Sequence, residues 1–165
     1  MGPDPADRER QPGLCYAARG LAYFRLGQYQ QAAADYDRAI ATLDPTSARY
    51  DATLRDYATN RGASYLCLGR YDLAIADCDL VLRLDPVHYT ALENRGGAYL
   101  KLGKYADSLR DFNRVLEMDT KNKDNQGEAL YYRGQVQEKL GLHDLAKKDL
   151  DKSRELGFKP MPGFE

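Results

Sequence analysis

Residues Ala58 to Pro86 read ATNRGASYLCLGRYDLAIADCDLVLRLDP. The stretch contains two helical runs that meet at Leu68-Gly69. The first ends at Leu68, where Gly69 offers the left-handed conformation that closes many helices at no Cβ cost. The second starts near Tyr71 and runs to Leu84. Asp85 and Pro86 follow. Proline suits the first turn of a next helix, where its missing N–H matters little, and aspartate is a good cap just before it. The unit is helix, short turn, helix, short turn.

The same frame recurs along the chain. Leu-Gly stands at Leu26-Gly27, Leu68-Gly69, Leu102-Gly103 and Leu140-Gly141. Seven residues before each of these glycines lies another, preceded by arginine: Arg19-Gly20, Arg61-Gly62, Arg95-Gly96 and Arg133-Gly134. Sixteen residues after each arginine comes an aspartate: Asp35, Asp77, Asp111 and Asp149. Self-similarity at this period marks a stacked repeat array. Small and apolar residues keep helical spacing in each copy, as in Tyr16, Gly20 and Tyr23, or Ala74, Cys78 and Val81. Small residues let two helix backbones approach, and larger ones fill the space beside them. Helices of about 14 residues are marginal alone and hold by burying this face on their neighbours.

Tyr16-x2-Arg19-Gly20-x2-Tyr23, with Ala32-x3-Tyr36 and Pro45, resembles the tetratricopeptide repeat signature. Ala58-x2-Arg61-Gly62-x2-Tyr65 with Ala74-x3-Cys78, Leu92-x2-Arg95-Gly96-x2-Tyr99 with Ser108-x3-Phe112, and Leu130-x2-Arg133-Gly134-x2-Gln137 with Ala146-x3-Leu150 repeat it. The likeness covers about Leu14 to Leu156. It implies an all-α fold: a right-handed superhelical solenoid of four helix-turn-helix repeats, eight helices, with no β-sheet. The repeats fall at about 13–45, 55–88, 89–122 and 127–157. Residues 1–12 form an expected flexible tail, and residues 158–165 form a second tail.

Gly62 and Gly96 lie 34 residues apart, the family period. Gly20 and Gly62 lie 42 apart, and Gly96 and Gly134 lie 38 apart. The first excess, around Thr46 to Leu54, holds no glycine or proline in its Ser47–Arg55 core, and is expected to lengthen the next helix by about two turns. The second, Lys121 to Asn125, is polar and reads as a loop.

The arginines depart from the leucine usual before this glycine. Their spacing predicts four ion pairs between the helices of each hairpin: Arg19 with Asp35, Arg61 with Asp77, Arg95 with Asp111, and Arg133 with Asp149. Partners from the adjacent copy are the alternative. Such pairs set register more than they add stability, because desolvation offsets much of the attraction.

The net charge is −1 with both signs mixed. This gives no electrostatic case for nucleic acid, and no apolar run is long enough for membrane insertion. The three cysteines lack metal spacing and suit a reducing, cytoplasmic compartment. Cys78 stands where sister copies carry Tyr36 and Phe112 and reads as core. His143 aligns with Tyr29, Tyr71 and Tyr105 and reads as packing. No catalytic, cofactor or metal motif is present, so the chain is read as no enzyme.

In the family this resembles, the first helix of each repeat lines a concave face that takes peptides or a partner's helix. Carried onto this chain, the lining is Leu14, Ala17, Leu21 and Phe24; Asp56, Thr59, Ala63 and Leu66; Thr90, Glu93, Gly97 and Leu100; Glu128, Tyr131, Gln135 and Glu138. Asn60 and Asn94 stand two residues before their glycines. Related arrays use an asparagine there to hold peptide backbone, since an amide both donates and accepts; the alternative is a bridge between helices. A subset of the family clamps the C-terminal carboxylate of Hsp70 and Hsp90 with lysine, asparagine and arginine. Counted from the first repeat, Ala17, Leu21, Thr90 and Asn94 hold those places; counted from the second, Asn94 fits, but Thr59, Ala63, Glu128 and Tyr132 do not. The expectation is a protein–protein interaction module, a scaffold or adaptor, for a partner with an apolar anchor and basic residues, and not a chaperone-tail binder. The alternatives are a homo-oligomer joined through the array ends, or the targeting domain of a larger protein.

Overall fold

A computed structural model describes residues 5–118 and 123–160, with side chains from residue 12 and from residue 125 onward in the two stretches. Eight helices follow in order: α1 Pro5–Arg25, α2 Tyr29–Ala41, α3 Tyr50–Cys67, α4 Tyr71–Leu84, α5 Tyr89–Lys101, α6 Tyr105–Glu117, α7 Lys123–Lys139 and α8 His143–Glu155. Among the described residues there is no strand. They group into two compact units, residues 1–94 and 95–165, divided within α5.

In the first unit α1 packs on α2, α2 on α3, and α3 on α4. Its core holds Ala32, Tyr36, Ala39 and Tyr57, with Tyr16, Tyr23, Phe24, Ile40 and Leu43 against them. In the second unit α6 packs on α7 and α7 on α8. Here Phe112 stacks on Tyr132 with ring centroids 5.9 Å apart. Cys78 is buried, filling the place that Tyr36 and Phe112 fill in their own hairpins.

Each hairpin turns in the same way. Gly27, Gly69, Gly103 and Gly141 have φ of +73°, +70°, +72° and +75°. The N–H after each glycine donates back to the residue five before it, as from Gln28 to the Tyr23 carbonyl at 2.9 Å. This closes the free carbonyls of the helix end in a Schellman turn. The inner glycines serve a different need. A Cβ on Gly96 would sit 3.1 Å from the Phe112 ring, and one on Gly134 would sit 2.8 Å from Leu150 Cγ. Those glycines set how closely the two helices of a hairpin approach.

Four details differ from the sequence reading. Helix α1 begins at Pro5, so residues 5–12, expected to be flexible, are helical. Pro5 suits a first turn, and Pro12 lies inside the helix at the cost of one backbone bond; Met1 to Asp4 and residues 161–165 lie outside the described residues. Both insertions enter the following helix. Helices α3 and α7 have 18 and 17 residues against 13 in α5. The polar stretch expected as a loop is helical from Lys123 on, while Lys121 and Asn122 lie outside the described residues. Polar composition suits the exposed first turn of a helix as well as it suits a loop.

The Asp-Pro pairs close turns between hairpins instead of opening the next helix. Asp44 accepts from the Thr46 N–H at 2.9 Å, and Asp85 from the Val87 N–H at 3.3 Å. A short acidic side chain bonding two residues on is a turn in itself. The start of α5 is capped by His88, whose Nδ1 accepts from the Ala91 N–H at 3.2 Å. His143 is 73% exposed and bonds Glu138 at 2.8 Å instead of packing. Its sister Tyr29 sits edge-on to Phe24, five residues earlier, at 5.3 Å. At the place of Phe24 the fourth repeat has Glu138, so the aromatic pair is replaced by a polar one.

Candidate functional site

Two sets of residues stand out: the arginine–aspartate pairs and the residues of the first helices expected to line a groove. In every repeat the arginine meets its aspartate as a two-armed fork. Arg19 Nε and Nη2 donate to the Asp35 oxygens at 2.6 and 2.8 Å. Arg61 meets Asp77 at 2.9 and 2.5 Å. Arg95 meets Asp111 at 2.8 and 2.7 Å, and Arg133 meets Asp149 at 2.6 and 2.9 Å. All four carboxylates are buried. A planar guanidinium matches a carboxylate with two parallel bonds, which fixes geometry as well as charge.

The third nitrogen does a second job. Arg61 Nη1 donates to Asp37 of α2 at 2.6 Å, and Arg133 Nη1 to Asn113 of α6 at 2.9 Å. Each of these guanidinium groups therefore ties its own hairpin and the preceding one. In the first described hairpin, Arg38 adds a third bond to Asp35 at 2.9 Å. The hydrogen bonds from Arg19, with Arg38 in support, hold the Asp35 carboxyl below its ordinary range. Asp77 goes the other way: burial raises it more than the Arg61 fork lowers it. Asp37 and Asn113 escaped the sequence reading. Their signal was an acceptor two residues after the fork aspartate: Asp37, Asp79 and Asn113.

Of the expected lining residues in the first unit, Leu14 and Leu21 of α1 are exposed at 61% and 38%. Ala17 and Phe24 are half-buried and pack on the core below. On α3, Asp56 is exposed, while Thr59, Ala63 and Leu66 are half-buried. Thr59 Oγ1 donates to the Arg55 carbonyl at 2.8 Å. The Asn60 amide donates to the Asp56 carbonyl of its own helix at 3.0 Å and stays exposed. On α5, Thr90 is exposed, and Glu93 accepts from the Tyr89 hydroxyl at 2.8 Å. Asn94 differs from Asn60: its Nδ2 is buried and finds no acceptor.

In the second unit, Gly97, Leu100 and Gln135 are half-buried. Glu128 is half-buried, and burial raises its carboxyl. Tyr131 packs on Phe158 with ring centroids 5.4 Å apart. Phe158, from the tail beyond α8, was not among the expected site residues. The turn at Gly157, φ +86°, brings it back onto α7.

Models of the tetratricopeptide repeat match residues 13–43 and, in two overlapping stretches, 59–123 and 94–155. The chain belongs to the tetratricopeptide repeat family. Sperm-associated antigen 1 of Rattus norvegicus is 42% identical over 69 residues, which is 42% of this chain and 8% of that protein. The Mus musculus protein is 39% identical over 83 residues, or 50% of this chain and 9% of that protein. The matches thus span less than a tenth of these curated relatives. Among solved structures, the first tetratricopeptide domain of human RPAP3 is 26% identical, with a TM-score of 0.67, over 82% of this chain and 97% of that one. The first such domain of Spaghetti (RPAP3), bound to the HSP90 peptide SRMEEVD, is 27% identical, with a TM-score of 0.66, over 79% and 94%. MamA of Desulfovibrio magneticus RS-1 shares the fold at 19% identity and a TM-score of 0.73, over 88% of this chain and 75% of that one.

Among the described residues no helix is long and apolar enough to cross a membrane. Cys15 and Cys67 are exposed, and Cys78 is buried.

Proposed function

We propose that this chain is a non-catalytic protein–protein interaction module, a scaffold or adaptor, that holds an extended partner segment on the inner face of its first helices. The observation that carries the reading is the likeness to a repeat domain solved with a peptide bound. The half-buried Asn94 amide of α5 supports it, since an amide can both donate to and accept from a peptide backbone. The exposed Leu14 and Leu21 offer an apolar anchor site on α1.

The same face is poorly suited to an acidic chaperone tail. Of the clamp positions counted from the first repeat, Asn60 matches, but Ala17, Leu21, Thr90 and Asn94 bring no cation. Asp56 and Glu93 repel a carboxylate, and mismatch of this kind selects against a partner. The preferred partner carries an apolar side chain and basic residues. Exposed thiols at Cys15 and Cys67 suit a reducing compartment such as the cytoplasm. In a protein as long as the curated relatives, the array would act as the targeting arm. Self-association through the C-terminal end is the weaker reading, because Lys147, Lys148, Asp151, Lys152, Arg154 and Glu155 leave α8 exposed and charged.

Affinity capture with the wild type and with a Phe24→Ala/Asn60→Ala/Asn94→Ala variant tests the reading. Loss of a specific partner from the variant is the expected result, and an unchanged set refutes it. Titration with SRMEEVD should show only weak binding. A saturable, low-micromolar constant overturns the exclusion of acidic tails.

A further inference from the structure

Among the described residues of the second unit, Glu128 is the one buried or half-buried carboxylate with no cationic partner. Every other buried or half-buried acid described there has a basic partner: Asp107 has Arg110 at 3.1 Å, Asp111 has Arg95 at 2.7 Å, and Asp149 has Arg133 at 2.6 Å. Glu128 is half-buried on α7 and has neither a hydrogen bond nor an ion pair. A carboxylate drawn partly out of water and left alone is costly.

Its surroundings suit a cation. Tyr131 stands three residues on, on the same side of the helix. The Phe158 ring lies against Tyr131 at 5.4 Å with 47° between the planes. Phe158 also reaches the turn of α7 that carries Glu128, since a Cβ on Gly127 would sit 2.8 Å from Phe158 Cβ. The tail is held there. Ser153 Oγ donates to the Gly127 carbonyl at 2.7 Å, and the Phe158 N–H to the Ser153 carbonyl at 3.2 Å. Aromatic faces attract cations, and a half-desolvated carboxylate attracts them more strongly than an exposed one.

We infer that Glu128, Tyr131 and Phe158 form a subsite for the cationic side chain, arginine or lysine, of a bound partner segment. The inference rests on the reading of this chain as a peptide-binding module, and it names the chemistry accepted by the second unit. Glu128 neutralises the charge, and the two rings shield it from water. Gly127 leaves the room that Phe158 fills.

The test uses monomeric probes and so needs no partner. N-acetyl-arginine amide is titrated into the isotope-labelled full chain by NMR, with the neutral N-acetyl-norleucine amide as control. Saturable shifts of Glu128, Tyr131 and Phe158 are expected with the arginine probe and not with the control. Glu128→Gln keeps the shape and should weaken binding about fivefold. Phe158→Leu keeps apolar volume without the ring and should also weaken it. Unchanged affinity in Glu128→Gln, equal shifts with the norleucine probe, or equal shifts at the exposed acids Glu117 and Asp144 would overturn the subsite. Should Glu128→Gln not fold, Phe158→Leu decides alone. Failure of partner capture would count against the module reading and leave this result standing on its own.

Discussion

Replacing Arg61 by methionine isolates what a fork contributes. The Asp77 side chain is 7% exposed, and that of Arg61 is 20% exposed. Methionine keeps much of the arginine stem but removes both arms to Asp77. A buried carboxylate is then left without its cation, which costs about 3–5 kcal/mol. The bond to Asp37 is lost too, but Asp37 is 51% exposed and adds little. The double variant Arg61→Met/Asp77→Leu removes both charges and should recover most of the loss, since matched apolar replacement of a buried pair is often neutral. Urea unfolding followed by circular dichroism measures both. With a slope of about 2 kcal/mol per molar, the single variant lowers the midpoint by at least about 1.5 M. A loss below about 1 kcal/mol, or a double variant as unstable as the single one, refutes the reasoning. Arg19→Met provides an internal control. Its side chain is 51% exposed, and Asp35 keeps Arg38, so its loss should be clearly smaller than that of Arg61→Met.

Gly134→Ala places a Cβ 2.8 Å from Leu150 Cγ and should cost about 1–3 kcal/mol by overpacking, read as a lower melting temperature. Gly27→Ala meets nothing within 4 Å; its cost is backbone alone, about 1–2 kcal/mol for a side chain at positive φ, and Leu150→Ala should relieve only the Gly134 variant. Asp35 has a lowered carboxyl, so the stability it contributes is complete above its unfolded value near pH 3.9 and disappears as pH falls through the folded one. Stabilities of the wild type and Asp35→Asn should therefore converge at low pH; a constant gap would contradict the assignment. Glu128 has the opposite sign. Its raised carboxyl makes the ionised form a burden that grows as pH rises from the unfolded value through the folded one, so Glu128→Gln should stabilise the free protein at neutral pH and not at pH 3.

The repeat frame was legible because each of its marks has a local cause. Leu-Gly marks a positive-φ turn, and Arg-Gly marks a close helix approach. The Arg-to-Asp spacing of sixteen spans one hairpin of constant length, so that distance could be counted along the chain. The second arm of the fork could not be counted in the same way. Arg61 reaches a residue 24 positions earlier and Arg133 one 20 positions earlier. The two numbers differ because insertions of different length lie between the hairpins. His143 misled because its alignment with three tyrosines ignores its partner: Phe24 and Tyr29 pack, whereas Glu138 and His143 pair. The Asp-Pro pairs satisfied two sets of rules at once, those for helix starts and those for turns, and only the Asp44 and Asp85 bonds decide between them. Phe158 lay past the last repeat, where the repeat pattern gives no guidance.

The third nitrogen of these arginines has a consequence for how the chain can vary. Arg61 and Arg133 find Asp37 and Asn113 by position in space, across connections of unequal length. A connector can therefore gain or lose a helical turn without uncoupling the hairpins it joins. Growth in those segments is tolerated at the joint, whereas a one-residue shift inside a hairpin would turn its arginine away from both acceptors together.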